Sequence, residues 1–222
     1  MSAARMSKQE RVYVELRKRI REGAYGPGHR IVIDALASEM GVSAIPVREA
    51  VRRLEAEGLV LFRPNAGAQV APVDPVAYHQ DLTVLAVLEG YATVLASQHI
   101  TESDIDCLSA STDQMQEAME HLDPLSFSRH NQQFHSIIYD RCPNAELVTA
   151  IREIVRRLDA IRRTVFLQIP TRGLASIEEH RHLIELLRRR APAYEIETAA
   201  RSHKLATVDS FDKWRNDPGR NI

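Results

Sequence analysis

Apolar residues recur at helical spacing along most of this chain and alternate at strand spacing in one short stretch only. Val12, Leu16 and Ile20 share a stripe between Lys8 and Glu22, with Val14 off it, which predicts a first helix. GAYGPG, Gly23–Gly28, breaks that helix. Arg30–Ile33 reads as a short strand, and Asp34 as the N-cap of a helix over Ala35–Met40. Gly41 can take the positive φ that ends this helix in a tight turn. Ser43 then caps a third helix, with Pro46 tolerated in its first turn. Val47, Ala50, Val51 and Leu54 follow i, i+3, i+4, i+7 and form its buried face, while Arg48 and Arg52 lie four apart on another. Gly58 ends it. GLVLFR and AQVAPV flank the turn Pro64-Asn65-Ala66-Gly67, a hairpin pattern. The order helix, strand, helix, turn, helix, hairpin is that of a winged helix-turn-helix.

After the connector Val73-Asp74-Pro75 the periodicity is helical throughout. It predicts about six helices, near 76–98, 101–121, 124–141, 144–167, 177–190 and 193–214. Thr101 with Asp104 and Ser176 with Glu179 read as capping boxes, and Asp123-Pro124 as a cap followed by proline. Pro143, Pro170 and Pro192 mark breaks. The expected fold is therefore mainly α: a winged helix-turn-helix over 1–73, an all-α bundle over 77–213 and a frayed tail over 214–222.

The net charge of −1 conceals an asymmetry. Residues 1–75 carry 12 Lys/Arg against 9 Asp/Glu, and residues 76–222 carry 17 against 21. A mildly basic head on a mildly acidic body suits nucleic-acid binding by the head. The N-terminus has no apolar signal-peptide core, and no apolar run is long enough for a membrane span, so a cytoplasmic protein with no membrane partner is expected. Cys107 and Cys142 have no metal or redox spacing and read as buried thiols.

A recognition helix needs short residues at its N-terminus, where the backbone nears the groove, and longer donors further on. Ser43, Ala44 and Ile45 come first here, and Arg48 and Arg52 supply guanidinium groups for guanine edges or phosphates. On the wing, Arg63, Asn65 and Gly67 are placed to approach backbone or minor groove. These residues, Gly41-Val42-Ser43 followed by Pro46-Val47-Arg48-Glu49-Ala50, Arg53-Leu54-Glu55, Glu57-Gly58-Leu59-Val60 and Gly67, resemble the GntR family of bacterial transcriptional regulators. The resemblance spans roughly 8–73 and implies a homodimer on a short palindromic operator. The family usually places a basic and a small hydroxyl residue after the serine. This chain has Ala44 and Ile45 there, which removes one common contact and leaves Ile45 to pack on a thymine methyl.

In the helical part, Asn131 and His135 stand four apart in HNQQFH, His180 follows Glu179, and His203 lies on the last helix. Three imidazoles and a side-chain oxygen from three helices can converge on a divalent metal in a bundle core. His130 and His182 are alternatives rotated off the preferred face. Phe134-His135, Glu179-His180 and His203 resemble the metal-binding FCD effector domain of the FadR-type GntR branch, over about 77–213. That resemblance implies a zinc or nickel site at Asn131, His135, His180 and His203, and a small-molecule effector such as an organic acid. The family commonly has Asp where this chain has Asn131. It also commonly has an arginine four residues before the glutamate of the first effector helix, where this chain has Leu85 before Glu89. Arg152, Arg156, Arg162 and Arg163 are the candidates to substitute for it.

Two other classes compete. A metal-dependent enzyme would need a general base near the histidines. The chain has no HExxH, GxSxG or phosphate loop, and Glu178 and Glu179 read as helix-start residues. A purely structural, dimerising bundle would take neither metal nor effector.

Overall fold

The computed structural model describes residues 6–21, 24–63, 67–72 and 74–216, with the side chains of Arg21, 159–168, Pro170 and Arg215 outside the description. The chain divides into two compact units, Met1–Asp74 and Pro75–Ile222.

The first unit holds α1 (Lys8–Arg21), β1 (Arg30–Ile31), α2 (Ile33–Met40), α3 (Ala44–Ala56), β2 (Val60–Arg63) and β3 (Gly67–Val70). The strands form an antiparallel sheet in the order β1-β3-β2, with Val60 opposite Val70 and Arg63 opposite Gly67. Val12 and Leu16 of α1 and Val47, Ala50, Val51 and Leu54 of α3 are all 0% exposed, so the predicted stripes are the core of this unit. Burying each such side chain contributes about 1.5–3 kcal/mol, which drives the two helices together. Gly41 sits at φ 64, and its N–H reaches back to the carbonyls that end α2.

In the first unit local capping differs from expectation in two places. The N-cap of α2 is Val32, not Asp34, which lies in the first turn of the helix, at the positive end of its dipole. Ser43 is the N-cap of α3, but its side chain makes no capping hydrogen bond.

The second unit holds, among its described residues, six helices: α4 (Pro75–Ser97), α5 (Glu102–Glu120), α6 (Pro124–Arg141), α7 (Ala145–Gln168), α8 (Pro170–Arg188) and α9 (Ala193–Arg215). Their core includes Leu108, Met115, Phe127 and Phe134 at 0% exposure. The Thr101–Asp104 capping box and the Asp123 cap both form.

The α8 start corrects the sequence reading. The helix begins at Pro170, seven residues before the expected 177, and Ser176 is a buried interior residue rather than a cap. Thr171, Gly173 and Ser176 are weak helix formers, so local propensity hides this first turn. Tertiary contact supplies what propensity lacks. Arg172 is 2% exposed and bonded to α9, and a Cβ on Gly173 would stand 2.9 Å from Met119 Sδ. Cys107 is exposed and Cys142 half-buried, contrary to expectation, because Cys107 falls on the outer face of α5 beside buried Leu108.

Candidate functional site

In the first unit the chemistry lies on the outside of α3. Ser43, Ile45, Arg48 and Arg52 are exposed, and Ala44 is half-buried. Ile45 is 67% exposed at the head of the helix. The three arginines of this helix divide by role. Arg53 lies 3.6 Å over the Tyr13 ring and bonds Glu10 at 2.9 Å, which ties α3 to α1. Arg48 and Arg52 make no ion pair among the described residues, so their guanidiniums remain available to solvent and ligand. Arg63 is exposed at the end of β2, and Gly67 opens β3. Asn65, the third predicted wing residue, lies outside the described residues.

In the second unit the chemistry is internal. His135 of α6, His180 of α8 and His203 of α9 are 5%, 0% and 5% exposed. Their ligand-type nitrogens all fall within 4.8 Å of one another. His180 Nε2 and His203 Nε2 stand 3.3 Å apart. Two imidazole nitrogens on a tetrahedral ion, each at about 2.0–2.1 Å, would stand roughly 3.3–3.4 Å apart. Glu179 Oε2 accepts from His203 Nδ1 at 2.6 Å, and Phe134 stacks on His180 at 3.9 Å, so both rings are held in orientation. Asn131, one turn before His135, is 1% exposed, and neither its amide oxygen nor its nitrogen has a hydrogen-bond partner. A buried amide left unsatisfied is costly, and an ion accepting its oxygen would relieve half of that cost. The donor set thus fits a divalent cation.

Residues that the sequence reading did not place there complete the cluster. Lys204, 4% exposed, sets its Nζ 3.1 Å from His135 Nε2 and 3.2 Å from Glu89 Oε2. Tyr139 donates to the other oxygen of Glu89. Arg172 forms a bidentate pair with Glu179 and donates to the His203 carbonyl at 2.8 Å. Glu179 is therefore the orienting partner of His203 and Arg172, not a helix-start residue. The sequence holds one hint of this group, the adjacency of Lys204 to His203. A small cavity of about 20 Å³, room for roughly one water, is lined by Asn131, Ser176, His203, Lys204 and apolar residues including Leu82 and Leu85. An open groove between α8 and α9 also reaches Glu179 and His203.

Of the proposed arginine substitutes, Arg152 and Arg156 do not join this cluster. Arg152 bonds Asp140 at 2.6 Å on the surface, and Arg156 is exposed. The side chains of Arg162 and Arg163 lie outside the description. His182 is exposed and His130 half-buried, neither within the cluster.

Residues 8–70 match the bacterial regulatory proteins of the gntR family, and residues 82–205 match the FCD domain. The chain is a GntR-family regulator with an FCD domain. It is 27% identical over 195 residues to the HTH-type transcriptional regulator YdhC of Bacillus subtilis, across 87% of this chain and 84% of that protein. It is 30% identical over 163 residues to the Nta operon transcriptional regulator of Aminobacter aminovorans, across 73% and 75%. Among solved structures, Escherichia coli McbR/YncC aligns at TM-score 0.76 and 23% identity over 96% of this chain and 100% of that one. Listeria monocytogenes Lar aligns at 0.63 and 20% over 95% and 99%. These two share the fold. The GntR regulator is accordingly a DNA-binding transcriptional regulator, and its families and relatives are regulators, not enzymes. No described helix is long and apolar enough to cross a membrane.

Proposed function

We propose that this GntR regulator binds a palindromic operator as a homodimer, with α3 in the major groove, and that its FCD domain takes a divalent metal and a small effector. The observation that carries the DNA reading is the contrast on α3. Val47, Ala50, Val51 and Leu54 are 0% exposed, while Arg48 and Arg52 are exposed and make no ion pair among the described residues. In this reading Arg48 and Arg52 contact guanine edges or phosphates. Ile45, exposed at the head of the helix, covers a thymine methyl, and Ser43 and the amides of the α3 N-terminus meet phosphate. Arg63, Asn65 and Gly67 approach the backbone from the wing.

In the FCD domain, His135, His180, His203 and the Asn131 oxygen would hold zinc or nickel. What supports this is the close set of three buried imidazoles and the unsatisfied Asn131 amide. The ion would supply a Lewis-acidic anchor for an anionic ligand such as an organic acid. An effector that favours one dimer geometry would shift the spacing of the two heads and so the operator affinity.

The test is operator binding across salt. Each phosphate neutralised steepens the fall of log K with log salt by about 0.9, so several contacts predict a steep decline. A flat response would reject the groove reading. Metal uptake tests the second half: the protein titrated with excess Zn²⁺ or Ni²⁺ should take up about one ion per chain.

A further inference from the structure

We infer that Lys204 is a tethered cation that competes with the metal for His135, making the FCD site of this chain a weak metal site by construction. The inference rests on the metal reading proposed above. Its ground is a conflict within the cluster. For a metal to be held by three imidazoles, His135 must present a nitrogen lone pair to it. The Lys204 ammonium, which can only donate, sits 3.1 Å from His135 Nε2. A lone pair that accepts from an ammonium is not available to an ion. The other ring nitrogen of His135, Nδ1, faces Glu89 Oε2 at 3.7 Å. Metal entry therefore requires the ammonium to leave its place on His135.

Three further observations make the ammonium a fixed occupant rather than a passing surface chain. Lys204 is 4% exposed. Its counter-charge, Glu89, is 3% exposed and bonded to it at 3.2 Å, and Tyr139 in turn holds Glu89. The remaining donors near the site are neutral: three imidazoles and the Asn131 amide. No carboxylate lies among the four candidate ligands to offset a divalent charge, and Glu179 is engaged by Arg172 and His203. An ion entering here would meet an ammonium at short range in a buried setting, where like charges repel far more strongly than in water. The metal and Lys204 thus exclude one another from His135, and whichever ligand draws Lys204 away favours the metal.

The experiment is titration of the full-length, metal-stripped protein with Zn²⁺ and, separately, Ni²⁺ against a chromophoric chelator. Lys204→Leu removes the ammonium without adding a thioether, itself a metal-ligand type. Because that change leaves Glu89 without its counter-charge, Glu89→Gln/Lys204→Leu is titrated as well, with folding of both checked by circular dichroism. Freeing the His135 lone pair and removing a nearby positive charge should tighten binding about tenfold or more in one or both variants. Equal affinity in parent and folded variants would overturn the competition while leaving the metal reading intact. Absence of binding in parent and variants alike would sink the metal reading, and the competition with it. A purely structural role for Lys204 would lower the melting temperature and leave metal affinity where it was.

Discussion

The two units carry their chemistry in opposite ways. The winged head holds its polar groups outside, on a scaffold whose interior is wholly apolar at α3. The FCD unit holds its polar groups inside, where three histidines, an asparagine, a lysine and two acids share one end of a helical core. An exposed guanidinium costs the fold little and can wait for a ligand, so each residue of the α3 face acts almost independently. A buried polar group must be satisfied by its neighbours, so each member of the histidine cluster fixes the next. The head is therefore expected to separate binding from stability cleanly, and the FCD cluster to mix them.

The largest expected effect breaks the head at its scaffold. Leu54→Ala removes a 0% exposed side chain that packs α3 in its core and should cost about 2–5 kcal/mol of head stability. Operator binding should fall in step with the loss of folded head, as read by thermal melts monitored by circular dichroism beside gel-shift titrations. A variant that melts normally but no longer binds would contradict the separation of faces on α3.

The complement is Arg48→Ala, which should leave the melt unchanged and weaken operator binding by about 1–3 kcal/mol if the guanidinium makes a bidentate base contact. The loss should concentrate at one position of each half-site when operator variants are compared. Arg53→Ala is the control from the same helix. Arg53 stacks on Tyr13 and pairs with Glu10, so its loss should appear in the melt. If Arg48 and Arg53 behave alike, the division of the α3 arginines into ligand-facing and structural is wrong.

This difference also explains what could be read from the sequence. Val47, Ala50, Val51 and Leu54 follow the helical repeat, so the face opposite them was visible residue by residue. Gly41 and the Thr101–Asp104 box are local signals and formed as read. The histidine positions could be found because each sits on a periodic helix, yet their partners could not. Lys204, Glu89, Tyr139 and Arg172 meet only through tertiary convergence of α4, α6, α8 and α9, which no spacing encodes. The start of α8 was missed for the same reason. Ser176 and Glu179 match a capping box in sequence, but Glu179 is engaged by Arg172 and His203, and the helix extends back to Pro170.

Within the FCD cluster the sharper test is Asn131→Asp. It places a carboxylate where the amide now lacks partners, adding the charge that the four candidate ligands lack. Zinc affinity should rise about tenfold, equivalent to about 1.4 kcal/mol. In metal-free protein the same change buries a carboxylate at a 1% exposed position and should lower stability, so metal should stabilise the variant more than the parent. Urea melts with and without Zn²⁺ give both numbers. A variant with unchanged zinc affinity would show that Asn131 is not in reach of the ion.

The smallest effect concerns an FCD arginine that, like Arg48, is substantially exposed but, unlike it, is committed. Arg141 at the end of α6 forms a bidentate pair with Asp104 at the start of α5, at 2.8 and 2.9 Å. The Arg141 guanidinium, helped by Thr101, holds the Asp104 carboxyl down to about 2 against the opposing effect of burial. A carboxylate with a folded-state pKa below its unfolded value adds stability that is full above about pH 4 and is lost as pH falls through about 2. Solvent screening limits the pair, since the guanidinium is 45% exposed, so Arg141→Ala should lower the melting temperature only slightly at pH 7. The gap between parent and variant should then narrow as pH drops from about 4 towards 2, because Asp104 protonates and the parent loses what the variant already lacks. The Thr101–Asp104 cap should weaken in both over the same range. A gap that stayed constant down to the acid limit of the folded state would mean that Arg141 acts through packing of its aliphatic stem, and its exposed charge would then be as uncommitted as those on α3.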